Sequence, residues 1–124
     1  MNSKVFMVLR ILLGLFVLVF GLNKFLEFLP APEGMSEDAM TYFGALVNSK
    51  TMALVAIVEI VAGLSLILNK FGALLALILM SVSVNAVLFH AVLDPGNIVP
   101  ALALLVLNIG VLLGYKDQYK ALLS

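Results

Sequence analysis

The chain alternates between long apolar segments and short polar ones. Four apolar segments stand out, at residues 5–25, 51–68, 71–93 and 98–115. Each is close to the roughly 20 residues that an α-helix needs to cross a hydrocarbon core of about 30 Å. We therefore expect four transmembrane helices, which together occupy most of the chain.

Short polar segments predict where these helices end. The tetrapeptide NKFG at residues 69–72 is a tight link, which makes the second and third helices antiparallel neighbours. DPGN at residues 94–97 ends the third helix, because Pro95 disfavours helical geometry at the residue before it. Asn97 is then placed to cap the fourth helix.

The first polar segment, residues 30–50, is long enough to hold an element of its own. Ser36 followed by Glu37 and Asp38 is typical of a helix start. Apolar residues then recur at helical spacing, at Ala39, Met40, Phe43, Leu46 and Val47. The pattern predicts a short amphipathic helix lying flat on the outer membrane surface.

Composition supports the membrane assignment and charge predicts an orientation. Of 124 residues, 64% are hydrophobic and 11% charged, against roughly 45–50% and 25% in soluble domains. Lys4, Lys70, Lys116 and Lys120 share one side of an even-numbered bundle, which the positive-inside rule makes cytoplasmic. We expect a single all-α domain over 1–124, a membrane-embedded antiparallel four-helix bundle with both termini in the cytoplasm. The first segment lacks a small-residue cleavage site, so it is expected to be retained.

Polar groups inside the apolar segments are candidates for function, because an ionisable group there costs a few kcal/mol and needs a partner or a cavity. Heights along the helices, at about 1.5 Å per residue, predict two polar layers. The lower layer holds Arg10, Glu59 and Asn108, and the upper layer, open to the outer surface, holds Lys24, Asn85 and His90. An extended arginine side chain can bridge Arg10 to Glu59.

One face of the first helix carries two cations with small residues between them. Its members are Arg10, Gly14, Val17, Gly21 and Lys24. Because they share a helical face, we expect this face to look inward. A second small-residue pair, the GxxxG of Gly110 and Gly114, is a candidate for close packing or for a homo-oligomer contact.

Each polar residue also has a purely structural interpretation. An Arg10–Glu59 pair can do no more than fix the register of two helices, and the two asparagines can be interhelical hydrogen bonds. His90 can pair with Asp94 one turn later, and Lys24 can extend its ammonium to the interface. The hydroxyls of the serines near Asn85 are expected to bond to their own helix.

The residue inventory narrows the chemistry. The chain has no cysteine and one histidine, so disulfides, thiolate or iron–sulfur sites and multi-histidine metal sites are not expected. No phosphate loop or nucleophile elbow is present. The remaining residues allow metal-free proton exchange at Glu59 or His90, with Arg10 or Lys24 holding an anionic or carbonyl ligand.

Three segments resemble the DoxX family of small four-helix membrane proteins. They are LRILLGLFVLVFGLNKF at 9–25, VEIVAGLSLIL at 58–68 and SVNAVLFHAVLDP at 83–95. The resemblance implies a four-helix bundle in which Arg10, Gly14, Gly21, Lys24, Glu59, Gly63, Asn85 and His90 matter. Some members of that family are membrane subunits linked to oxidoreductases, including a thiosulfate:quinone oxidoreductase and methylamine utilisation systems, and one is associated with a superoxide dismutase and a sulfurtransferase.

The resemblance therefore implies an accessory subunit of a membrane redox system, with a quinone or similar lipid-like head group as ligand and a redox partner protein. A bacterial inner membrane is the expected location, with membrane lipids and no nucleic acid as partners. Two other functions stay open. One is a small carrier of a lipid-like or weakly acidic solute, which would need a dimer; the other is a membrane scaffold or assembly factor without ligand chemistry.

Overall fold

The computed structural model describes residues 1–124 and contains helices and turns without strands. Five α-helices follow one another, and their bounds are α1 Ser3–Leu26, α2 Glu37–Asn48, α3 Thr51–Leu68, α4 Gly72–Leu93 and α5 Val99–Gly114. A 3₁₀ turn, Pro95–Asn97, joins α4 to α5, and a 3₁₀ segment, Lys116–Leu123, follows α5. The secondary structure is therefore all-α.

Three helices, α1, α3 and α4, are long and apolar enough to cross a membrane. The fourth apolar segment forms α5, which has 16 residues and is therefore about 24 Å long, less than the hydrocarbon core. It passes the same test only together with the 3₁₀ segment, from which it is bent by 79°. The prediction of an all-α membrane bundle is confirmed, and α5 is the shortest of its four long helices.

The four long helices form a ring in which every neighbour is antiparallel. Helix α1 packs on α3 and α5, and α4 packs on the same two helices from the other side. Helix α2 contacts α3 and α4 near the end opposite the chain termini. We call that end the α2 end and the other the terminal end. The amphipathic helix predicted from the first polar segment thus exists.

Local hydrogen bonds decide two of the predicted helix starts. The Ser36 hydroxyl accepts a hydrogen bond from the backbone N–H three residues later at 3.1 Å, so the predicted start of α2 is correct. Asn97 does not cap α5, contrary to the prediction. Its side-chain amide instead donates to both carboxylate oxygens of Asp94 at 3.1 Å and to the carbonyl oxygen of Glu33 at 3.0 Å.

Glycines bring the backbones of α1 and α3 into direct contact. A Cβ atom added at Gly63 would lie 2.8 Å from the carbonyl oxygen of Gly14 and 2.9 Å from Cβ of Leu18. One added at Gly21 would lie 3.0 Å from Cβ of Glu59. Since only glycine allows this approach, the face of α1 predicted to look inward does pack on α3.

The GxxxG pair of α5 is used within the chain. Gly114 lies against the ring of Phe6 with no room for a side chain, and a Cβ at Gly110 would lie 3.5 Å from Leu9. Both neighbours belong to α1. The motif therefore packs α5 on α1, and it does not present an open surface to a second copy.

Candidate functional site

Arg10 lies near the terminal end of the seam between α1 and α3 and is 8% exposed. Its guanidinium donates to the carbonyl oxygens of Leu66 and, at 3.2 Å, of Ile67. These carbonyls belong to the last turn of α3, where the helix itself supplies no donor and where positive charge is favourable. Arg10 therefore caps α3 from the neighbouring helix.

The predicted Arg10–Glu59 bridge is wrong, and side-chain direction explains why. Side chains on an α-helix lean toward its N-terminus. The N-terminus of α1 is at the terminal end, so Arg10 extends away from Glu59 and toward the final turn of α3. Height along α1 does not include this direction, so height alone does not tell which part of α3 the Arg10 side chain reaches.

The same rule brings Lys24 and Glu59 together. Lys24, near the C-terminus of α1, leans toward the terminal end, while Glu59 on the antiparallel α3 leans toward the α2 end. Their side chains meet with 2.6 Å between Lys24 Nζ and Glu59 Oε1. Gly21, one turn before Lys24 in α1, allows α3 to come close enough for this contact.

The two partners of this pair differ in accessibility. Glu59 is 3% exposed, whereas the Lys24 side chain is 23% exposed. The Nζ–Oε1 contact joins an ammonium to a carboxylate, and no other donor of the chain reaches the buried Oε1. A buried carboxylate with unused lone pairs beside a reachable ammonium can take a ligand that carries both donor and acceptor groups.

Asn108 is fully buried between α4 and α5. Its amide nitrogen donates to the carbonyl oxygen of Ala76 at 3.1 Å, and its Oδ1 accepts a hydrogen bond from the Ser83 hydroxyl at 2.7 Å. Ser83 also donates to the carbonyl of Leu79 in its own helix at 3.3 Å. The interhelical interpretation of Asn108 is therefore correct, and the predicted lower layer with Arg10 and Glu59 does not form.

His90 lies near the α2 end beside Asp94. Its Nδ1 is 3.3 Å from Oδ2 of Asp94, which is 3% exposed and also accepts from the Asn97 amide. The Ser36 hydroxyl donates to the carbonyl of Leu93 at 2.8 Å in the same region. His90 thus has the partner that its structural interpretation assigned to it, and the cluster ties the polar segment before α2 to the end of α4.

Asn85 lies on the outer surface of α4, so its predicted place in the bundle interior is wrong. It is exposed, and its amide nitrogen donates to the carbonyl of Ser81 in its own helix at 2.7 Å. The Ser81 hydroxyl bonds back to Ile78, as expected. Asn85 also lines an open groove of about 280 Å³ between α2 and α4. The upper layer predicted with Lys24 and His90 is therefore absent.

Sequence reasoning missed a polar cluster at the terminal end. The Tyr115 hydroxyl donates to Oδ1 of Asn69, and the Tyr119 hydroxyl donates to the carbonyl of Ala73, both at 2.7 Å. Both tyrosines are buried at the end of the ring. Two tyrosines four residues apart directly after an apolar segment were the available signal, since an aromatic ring with one polar atom suits such a boundary.

Comparison with known protein families now gives an identification. The family model for DoxX matches residues 5–91. The chain belongs to the DoxX family. The match covers α2 and α3 and almost all of α1 and α4, and it includes five of the six predicted site residues, with Asn108 beyond it. Neither a search of curated proteins nor one of solved structures gives a match.

In this DoxX protein the polar groups of the spans are thus distributed over separate places. Arg10 caps α3, Asn108 joins α4 to α5, and His90 belongs to the α2 end. Only the Lys24–Glu59 pair combines a buried carboxylate, to which no donor other than its partner bonds, with a partly exposed ammonium. No three or more His, Cys, Asp or Glu side chains of the chain come together as a metal site would need. The Lys24–Glu59 pair is the candidate site.

Proposed function

We propose that this integral membrane protein is an accessory subunit of a membrane redox system, and that its Lys24–Glu59 pair binds the head group of a quinone or a similar lipid-like molecule. The observation that carries the proposal is the buried Glu59 carboxylate, whose Oε1 lies 2.6 Å from the partly exposed Lys24 ammonium and has no other donor in the chain. The proposal includes a bacterial inner membrane, with both termini in the cytoplasm and the α2 end outside.

The chemistry of the pair suits a quinone head group. An ammonium has three donors, so Lys24 can face Glu59 and still donate to a ligand carbonyl. The carboxylate of Glu59 can accept from a hydroxyl, the group that replaces a carbonyl when a quinone is reduced. The protein thereby orients the head group and offers a proton acceptor, while electron transfer belongs to the redox partner. His90, paired with Asp94 near the α2 end, is the second candidate for proton exchange.

The proposal is tested by identifying the small molecules that remain bound to the purified protein. Wild type, Glu59→Gln and Lys24→Met are prepared in mild detergent, and extracted molecules are quantified by mass spectrometry. Lys50→Met is the matched control, because Lys50 is an exposed lysine at the start of α3 that makes no ion pair.

Wild type and Lys50→Met are expected to retain about one quinone-like molecule per chain. Both pair variants should retain at least about tenfold less, because a charge-assisted hydrogen bond contributes about 1.5–3 kcal/mol. Far-ultraviolet circular dichroism checks that helicity is unchanged. Equal retention in all four proteins, or bulk lipid alone in all four, would show that the pair binds no such ligand.

A scaffold or assembly factor is the second candidate, and helix α2 favours it. Outside the bundle α2 exposes Met40, Phe43 and Val47, an apolar surface that a partner protein can cover. Exchanging the charges of the pair, with Lys24→Glu and Glu59→Lys combined, separates the two candidates. A scaffold would keep its partner after the exchange, whereas a head-group site would lose its ligand because the carboxylate would move to the exposed position.

A further inference from the structure

One complete face of α4 is unpacked within the chain. The residues of this face follow one another at alternating intervals of four and three positions. They are Leu74, Ile78, Ser81, Asn85, Leu88 and Val92. All six are exposed, and the four apolar ones are 41% to 67% exposed. We call this face the α4 stripe.

Asn85 distinguishes the α4 stripe from an ordinary lipid-facing surface. Any helix against lipid exposes residues at this spacing, so the spacing alone does not indicate a partner. Asn85, however, lies about 20 Å from the start of α4 and about 12 Å from its end, which puts it in the outer half of the hydrocarbon core when α4 spans the membrane. One hydrogen of the Asn85 side-chain amide is donated to the carbonyl oxygen of Ser81. The second amide hydrogen and Oδ1 have no partner in the chain. Unpaired polar groups in hydrocarbon are costly.

The residue types of the stripe match a two-stranded coiled coil. A repeat of 3.5 residues places Ile78, Asn85 and Val92 at one core position of the heptad, and Leu74, Ser81 and Leu88 at the other. β-Branched residues at the first core position with leucine at the second favour two parallel strands, and a single asparagine at the first position specifies register and a two-stranded state. Left-handed packing of this kind is also common between membrane helices.

We propose that two copies of this chain associate through their α4 stripes as a parallel two-fold dimer. An axis along the membrane normal places Asn85 of each copy at the same depth. An amide contains both a donor and an acceptor, so the two side chains can bond to each other reciprocally, as an isologous interface requires. A lipid tail offers neither group, which is why a second copy satisfies Asn85 and lipid does not.

The surface beside the stripe has room for the partner. The groove of about 280 Å³ is lined by Asn85, Leu88 and Val92 of the stripe, with Tyr42 and Phe89 as its far wall. Tyr42 of α2 stacks on Phe89 with 5.5 Å between ring centroids, so this wall is an ordered aromatic pair. Side chains of the partner's stripe can enter the groove near the α2 end.

Disulfide cross-linking tests the dimer directly, because the chain has no cysteine of its own. Ile78→Cys and Val92→Cys place a thiol in the stripe, and Val106→Cys places one on α5 at a position that is 68% exposed. Each purified protein is reconstituted in phospholipid vesicles at a series of protein-to-lipid ratios, oxidised, and separated on a non-reducing gel. Both stripe positions should cross-link at least fivefold faster than Val106→Cys. Equal rates at all three positions, or no cross-link in the stripe at any ratio, would overturn the proposal.

A second substitution tests the role assigned to Asn85. Adding Asn85→Leu to the Ile78→Cys protein should weaken dimerisation about five- to thirtyfold, which corresponds to about 1–2 kcal/mol. Asn85→Gln should restore part of the association, because it keeps an amide. Asn85 is exposed, so the folded monomer should survive, which circular dichroism verifies. Cross-linking of Asn85→Leu as fast as its parent would contradict the reciprocal hydrogen bond.

Discussion

Replacing Gly63 with alanine tests the close contact of α1 and α3 on which the Lys24–Glu59 pair depends. Gly63 lies one turn along α3 from Glu59, at the point where the two backbones touch. The added Cβ would lie 2.8 Å from the carbonyl oxygen of Gly14 and 3.0 Å from the backbone nitrogen of Leu18. Both are main-chain atoms of α1, so no side chain can rotate to relieve the overlap.

The magnitude follows from two opposing effects. Non-bonded atoms pack at about 3.5–4.0 Å, so α1 and α3 must separate locally by roughly 0.5–1 Å, and overpacking of this kind costs about 1–3 kcal/mol. Alanine favours the helix over glycine by about 1 kcal/mol, which offsets part of that cost. We expect Gly63→Ala to lower the free energy of unfolding by up to about 2 kcal/mol, whereas an alanine without this overlap should raise it.

The free energy of unfolding is measured by titrating the purified protein with sodium dodecyl sulfate in mixed micelles and following helicity. Gly110→Ala is the matched control within a bundle helix, since its Cβ would meet only the tip of Leu9, at 3.5 Å, an ordinary contact. This control should be as stable as wild type or up to about 1 kcal/mol more stable. If Gly63→Ala is no less stable than Gly110→Ala, the backbone contact does not limit the packing of α1 on α3.

Two further predictions concern the hydrogen bonds between helices, and the same titration checks both. Arg10→Met leaves two carbonyls at the end of α3 without a donor and should lower the free energy of unfolding by about 2–3 kcal/mol. Arg10→Lys should lower it less, because it keeps one donor group. A loss as small as that of Lys4→Met, which removes an exposed lysine, would contradict the cap. Asn108→Leu should cost about 1–2 kcal/mol. Combined with Ser83→Ala it should cost less than the two single losses together, whereas strict additivity would mean that the two side chains do not interact.

Local properties of the sequence determined which segments form helices and that these helices lie in a membrane. An apolar segment of sufficient length indicates a membrane helix without reference to any other part of the chain. The ends of these helices are local as well. Asn69 and Phe71, in the predicted tight link, adopt positive φ angles of 54° and 57° between α3 and α4, and Ser36 starts α2 through its own hydroxyl. The inward face of α1 followed from its glycines, because close contact needs small residues at helical spacing.

Only the tertiary structure decided which polar groups meet. Height along a helix is a property of the sequence, but side-chain direction matters equally. Arg10 and Lys24 both lean toward the terminal end, so Arg10 reaches the last turn of α3 and Lys24 reaches Glu59 in the middle of α3. Helix α4 is apolar on nearly every side, so no amphipathic pattern revealed its inward face. The ring places Ser83 inside against Asn108 and leaves Asn85, two residues later, outside. The physical reason is that helix rotation is set by packing against all neighbours at once, and a uniformly apolar helix does not encode that rotation in its own residues.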